Sequence, residues 1–242
     1  GLETAVANTE KNLANARELF ESYLNSTFTH IYDDRIEVPL DQFIKFIDYR
    51  GKTPKKTEKG LRLITAKNVR MGFLQRKPEE FINPKDYESW MTRGIPKKGD
   101  VLFTTEAPLG LVCQLDTDEK VAFAQRIITM QPDRAIIRPE YLAFVLRSLL
   151  LQNRIHEKAT GATATGIKSK LLKKICIPLF SISKQIEITQ KLSSVESMVR
   201  ELEINAQQKL TAIAELKQSL LQKAFSGELT ANIDNAVKEV AA

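Results

Sequence analysis

Four stretches of this sequence combine residue types that can hold a nucleic acid. The first is Asp48-Tyr49-Arg50-Gly51-Lys52-Thr53-Pro54. It sets a guanidinium fork, able to bond bidentately to a guanine edge or a phosphate, beside an ammonium and a hydroxyl that suit phosphate. Arg50, Lys52, Thr53 and the nearby Lys55 are its candidate contacts, with Lys67 and Asn68 further on. The second is GDVLFTTEAPLG, from Gly99 to Gly110, a strand leading into a tight polar loop. Thr104, Thr105 and Glu106 can present hydroxyls and a carboxylate to a base, and glutamate can accept from a cytosine amino group. The same residues can serve only to stabilise the turn. In the third, Gln125 and Arg126 interrupt an apolar run. Gln suits adenine and Arg guanine, while a hydrogen bond holding neighbouring loops is the alternative. The fourth is Thr160-Gly161-Ala162-Thr163-Ala164-Thr165-Gly166, followed by Lys168 and Lys170. Its backbone carries so little bulk that it can approach a phosphate chain closely, with Thr160, Thr163 and Thr165 as hydroxyl donors.

The chemistry these residues do not support is as informative. No GxxxxGK[ST] spacing occurs, so ATP binding has no basis. The two histidines, His30 and His156, have no evident partner, and CxxC and HxxxH spacings are absent. No metal is expected, nor any cofactor. Cys113 and Cys176 lie far apart in apolar surroundings and read as small buried residues. No nucleophile has a base beside it, and Asp33-Asp34 and Glu79-Glu80 read as exposed charges, so no catalytic residue is assigned.

The 242 residues carry 43% apolar and 27% charged side chains, ordinary for a globular protein that can bury a core, and a net charge of +6. A basic protein attracts nucleic acid by displacing counterions from phosphates. The charge is concentrated: Arg50 to Arg62 holds six cations against Glu58, and Arg154 to Lys174 six against Glu157. The longest apolar run, Tyr141 to Leu151, contains Arg147 and is too short to span a bilayer. The start lacks the features of a signal peptide, so a cytoplasmic protein without membrane contact is expected.

Two long helices bracket the candidate loops. Leu2, Val6, Thr9, Leu13, Ala16, Phe20 and Tyr23 keep a 4-3 spacing that predicts a helix to about Ser26. After Pro178, with Ser181 or Ser183 as N-cap, Ile188, Leu192, Val195, Val199, Leu202 and Ala206 repeat that spacing. Leu210, Ile213, Leu216, Leu220 and Ala224 follow, and Gly227 is the expected C-cap. The successive steps of four, Leu202 to Ala206 to Leu210, are a stutter. A helix on the order of 65 Å must pack along another. Leu13, Phe20, Leu192, Val195, Val199, Leu202, Leu210, Ile213 and Leu220 are the expected packing residues. LFESYLNSTF (19 to 28) matches LKQSLLQKAF (216 to 225) at a constant offset, so the chain starts and ends with copies of one element. Between them lie short β-rich runs broken by Gly and Pro: part of Val38 to Phe43, Leu61 to Thr65, Asp100 to Thr104, Leu111 to Leu115, Val121 to Phe123 and Ile127 to Pro132. Helices are expected at Pro139 to Gln152 and around Ser169 to Lys174. The fold class is α+β: a helix over 1–28, a mixed domain over 29–180, a long helix over 181–226 and a tail over 227–242.

YRGKTP, GDVLFTTEAPLG, TGATATGIKSKLL, CIPLFSISKQIEITQKL and LKQSLLQKAFSGEL, in this order and over nearly the whole chain, resemble the specificity subunits of type I restriction-modification systems. The resemblance implies a non-catalytic target recognition domain that reads one half of a split site in double-stranded DNA. It also implies antiparallel spacer helices that dock adenine methyltransferase subunits, through which a restriction subunit joins. S-adenosylmethionine and the flipped adenine then belong to the methyltransferase. One departure stands out: family members carry two recognition domains, and this chain one. It is either a naturally half-length subunit, expected to dimerise, or the distal half of a longer one, which the short first helix favours. The competing readings are a coiled-coil dimer displaying a protein-binding domain and, third, a metal-dependent nuclease.

Overall fold

The computed structural model describes residues 1–29, 35–49, 53–161 and 165–226. His30, Asp33, Asp34, Arg50, Lys52, Thr163, Gly227 and the 227–242 tail fall outside the described residues. The chain opens with helix α1 (Leu2–Thr29). Strands β1 (Ile36–Pro39), β2 (Ile44–Asp48), β3 (Lys56–Thr57), β4 (Leu61–Ile64), β5 (Val69–Arg70), β6 (Phe73–Leu74) and β7 (Phe81–Ile82) follow. After the one-turn helix α2 (Tyr87–Trp90) come β8 (Val101–Thr104), β9 (Val112–Gln114), β10 (Val121–Phe123) and β11 (Ile127–Pro132). Helices α3 (Pro139–Arg147), α4 (Leu149–Glu157) and α5 (Ser169–Leu172), strand β12 (Cys176–Leu179) and helix α6 (Ile182–Phe225) complete the order. The α+β expectation holds, with long helices at both ends and a β-rich centre.

Two compact units result: Tyr23–Leu192, and Gly1–Ser22 with the chain from Ser193 on. The first is built on two four-stranded sheets, β2-β11-β8-β9, antiparallel throughout, and β10-β4-β7-β3, in which β10 and β4 run parallel. Ile47, Leu102 and Ile127 of one sheet share a core with Leu63, Ile64 and Phe123 of the other. Cys113 is buried there, and burial pushes its thiol up to about 12, which suits packing and not reactivity. A second buried group joins the end of α1 to the helical layer. Phe28 meets Tyr141 edge-on at 5.8 Å, and Tyr141 meets Phe180 at 6.2 Å.

Helix α6 enters this unit with Gln185, Ile188, Thr189 and Leu192 buried, and Gln185 carries the polar contacts. Ser181 caps the helix, accepting from the Lys184 N–H at 3.3 Å. Gln185 accepts from the Arg138 N–H and donates to the carbonyls of Ile136 and Phe180, each at 2.8 Å. Gln185→Leu removes all three bonds while keeping the bulk, leaving buried backbone groups unpaired. It is expected to cost about 2–3 kcal/mol in urea unfolding; an unchanged midpoint would show that water replaces the amide.

In the other unit the helices run antiparallel, since Arg17 pairs with Glu203 at 2.7 Å while Gly1 to Glu10 lie against Ile213 and Lys217. Along α6 the half-covered positions are Val195, Glu196, Val199, Glu203, Ala206, Leu210 and Ile213, of which all but Glu196 follow one seam. Two successive steps of four therefore fall at Val195, Val199 and Glu203, one heptad earlier than Leu202, Ala206 and Leu210, where the apolar spacing puts them. Leu202 turns outward, 51% exposed, because the seam position passes to Glu203 and its arginine partner. Leu220 is 41% exposed. Ile213 and Lys217 already face the first turns of α1, which leaves nothing in the described chain opposite Leu220. Leu13 and Phe20 of α1 are covered, as is Leu192 of α6.

Two further differences have local causes. The helix expected from Pro139 to Gln152 breaks at Ser148, which is extended (φ −65°, ψ 148°), and the N–H of Leu149 bonds the Asn25 side-chain oxygen at 2.7 Å instead. Strand β12 contains Pro178, which argues against a strand by sequence, yet it pairs only with β1, and an edge tolerates the missing N–H.

Candidate nucleic-acid interface

The antiparallel sheet gathers the candidate loops at one end of its strands. Asp48, the last residue of β2, pairs with Ile128, and Thr104, the last residue of β8, pairs with Ile127. The chain before Ile127 is Gln125-Arg126, and the chain after Asp48 is the Tyr49-to-Lys55 stretch. Thr105 donates its N–H to the Arg126 carbonyl at 3.0 Å and accepts at its own carbonyl from the Ile167 N–H at 3.0 Å. The Thr160-to-Gly166 segment is closed by reciprocal Thr160 and Gly166 backbone bonds, and Gly166 bridges to Glu106. Three stretches remote in sequence thus interlock through their backbones.

Arg126 stands at the junction. Its φ is +74°, a left-handed conformation uncommon for a residue with a side chain and frequent at functional sites. Its Nε lies 2.9 Å from Glu106 Oε1, and both side chains are about half exposed. Glu106 therefore orients a half-exposed guanidinium that has further N–H donors. Gln125 beside it is half-buried, and Thr53, Lys55, Lys67, Thr160, Thr165, Lys168 and Lys170 are exposed.

Several candidates hold the loops instead of facing outward. Thr104 is fully buried; its hydroxyl donates to the Pro108 carbonyl at 2.6 Å and accepts from the Leu111 N–H. Thr105 is buried too. Asn68 is fully buried, accepting from the N–H and hydroxyl of Thr65 and donating to the carbonyls of Gln75 and Pro78. The Asp in GDVLFTTEAPLG has the same character: Asp100 accepts from the Lys97 N–H and from Gln131. The second basic stretch divides likewise. Arg154 binds Glu37 and the Cys176 carbonyl, Lys174 binds Asp41, and Lys173 lies over the Phe46 ring. Spacing shows which residues can bond, and not on which side of the backbone they point.

Gly166 has a packing reason. A Cβ there would sit 3.2 Å from the Thr105 carbonyl oxygen and the Glu106 Cβ. Gly166→Val is expected to wedge the loops apart at about 1–3 kcal/mol of stability, read from thermal or urea unfolding; a neutral result would mean the loops separate freely. Among the described residues, no group of His, Cys, Asp and Glu could hold a metal ion, and no helix is long and apolar enough to cross a membrane.

Residues 37–212 match the family model for the type I restriction modification DNA specificity domain. The chain belongs to this family. Curated relatives include the specificity subunit of the Escherichia coli type I restriction enzyme EcoBI, 29% identical over 147 residues, which make up 61% of this chain and 31% of that protein. The EcoKI subunit of Escherichia coli strain K12 is 25% identical over 191 residues, 75% of this chain and 40% of that one. The chain thus spans well under half the length of the curated relatives it matches. Among solved structures, one from a study of complex assembly and conformational transition in the type I R-M system has a TM-score of 0.72 at 16% identity, covering 93% of this chain and 55% of that one. The HsdS subunit from Thermoanaerobacter tengcongensis has a TM-score of 0.62 at 18% identity, with coverages of 93% and 56%. These solved structures share the fold of long helices around a β-rich domain. What the match shows for this chain is the family's DNA specificity domain, over residues 37–212.

Proposed function

We propose that this chain reads one half of a bipartite double-stranded DNA target, contributes no catalysis, and docks adenine methyltransferase subunits, and through them the restriction subunit, on its helices. The observation that carries the reading is the Glu106–Arg126 pair, held at the strand ends of a sheet where three loops interlock and Lys168 and Lys170 are exposed. A fixed guanidinium beside phosphate-seeking lysines is the arrangement direct base readout needs. The protein would act in the cytoplasm, where its DNA is.

The repeat supports a second recognition domain, supplied by another copy or by a longer chain. In the first copy Leu24 and Phe28 are buried; their counterparts Leu221 and Phe225 are exposed, Phe225 to 89%. Domain boundaries at 28 and 181 and a homodimer belong to the same proposal. Mapping methylated adenines in cells that carry the subunit with its partners tests it. An Arg126→Ala allele should change or abolish one half-site only. Methyl transfer by the purified chain alone would overturn the non-catalytic part.

A further inference from the structure

The β5–β6 hairpin lies outside the loops just described and was not marked by the sequence beyond Lys67 and Asn68. Val69 and Leu74, a register pair, are buried, so the other pair, Arg70 and Phe73, faces outward. Phe73 is 50% exposed and Met71, at the turn, 40%. Exposed Phe and Met at a hairpin tip cost solvation and call for a partner. The segment from Ala66 to Pro78 carries Lys67, Arg70, Arg76 and Lys77 and no acidic residue. Of these Arg76 is paired with Asp116, and the Lys67 and Lys77 side chains are exposed.

The hairpin is also held rigid and placed. Asn68 ties its root with four side-chain hydrogen bonds. The Gly72 N–H at its tip bonds the Val112 carbonyl at 2.7 Å, and Leu111, the preceding residue, bonds Thr104. Strand β4, which feeds the hairpin, ends beside β10, which feeds Arg126; Ala124 donates to the Ile64 carbonyl at 2.9 Å. The hairpin and the recognition loops therefore spring from adjoining strand ends.

We infer that the β5–β6 hairpin is a second DNA-reading element, a two-stranded ribbon that enters the major groove with Met71 and Phe73 against the base edges and Lys67, Arg70 and Lys77 at the flanking phosphates. The groove's width admits a two-stranded ribbon, and the thymine methyl offers an apolar contact there. A cationic segment without acids suits a polyanion better than a protein surface. This inference rests on the DNA-reading proposal above, and the experiment separates the two. Binding of the full subunit, assembled with methyltransferase, to a duplex carrying its methylated site is measured by fluorescence anisotropy over a range of salt. Phe73→Ala with Met71→Ala should weaken binding about ten-fold with the salt slope unchanged. Lys67→Ala with Lys77→Ala should flatten the slope of log affinity against log salt by about two. If both pairs bind like the parent while Arg126→Ala weakens binding, the hairpin is off the DNA and the inference is overturned. If Arg126→Ala is also silent, the DNA-reading proposal itself fails. Loss of methyltransferase assembly on changing Phe73 and Met71, with DNA binding intact, would make the tip a protein contact and equally overturn it.

Discussion

Arg126→Ala is expected to lower affinity for the cognate duplex by about 5- to 150-fold, the range corresponding to the roughly 1–3 kcal/mol of a good arginine–base contact. Two features enlarge the effect beyond that of a surface arginine. The backbone at Arg126 is held left-handed by the Thr105 N–H on its carbonyl, and Glu106 fixes the guanidinium, so little rotamer freedom is lost on binding. Alanine removes the guanidinium but keeps the strained φ of +74°, whereas glycine removes both. The two variants should therefore lose affinity alike, while Arg126→Gly unfolds about 1 kcal/mol later than Arg126→Ala. Glu106→Gln keeps an acceptor without the charge and should fall between parent and Arg126→Ala in discrimination, with tighter non-specific binding because a negative charge has left the interface. Equal affinity of parent and Arg126→Ala for cognate and scrambled duplexes would show that the pair only locks the loops together.

How much of this was legible beforehand depends on length and period. The long helices follow from 4-3 spacing alone, and the seam on α1 falls where the spacing puts it. On α6 the reading slips by one residue at Leu202, because a stutter can be placed at either of two steps and only the Arg17–Glu203 pair decides. The strands β3, β5, β6 and β7 span two residues each, too few to show a period. The loops were visible as polar interruptions, yet which of their side chains are committed inward was not. Thr104 and Glu106 are two residues apart, and one closes a turn while the other meets Arg126. Nothing in the local sequence separates these roles, since both depend on strands that pair far away in the chain. The hairpin tip escaped notice for the same reason: Met71 and Phe73 look like core until Val69 and Leu74 are seen to fill it.

The repeat makes a sharper experiment possible than any single substitution, because its two copies place one residue type in opposite environments. Phe28→Ala is expected to cost about 3–5 kcal/mol, a large share of the roughly 5–15 kcal/mol that a domain has. Its ring is wholly buried and stands edge-on to Tyr141, which in turn stands edge-on to Phe180 and donates to the Pro178 carbonyl at 2.8 Å. The cavity would open among side chains that are themselves buried and fixed, so it would collapse only in part. Phe225→Ala, at the matching position of the second copy, should leave the urea midpoint of the isolated chain within about 0.5 kcal/mol, as an exposed site does. If the second copy has a partner domain, the exposed phenylalanine becomes the buried one on assembly. Phe225→Ala should then weaken self-association, read by sedimentation equilibrium, while Phe28→Ala lowers stability. Equal loss of stability in both variants would mean that the copies are not equivalent anchors, and that the match between LFESYLNSTF and LKQSLLQKAF reflects only the small alphabet of amphipathic helices.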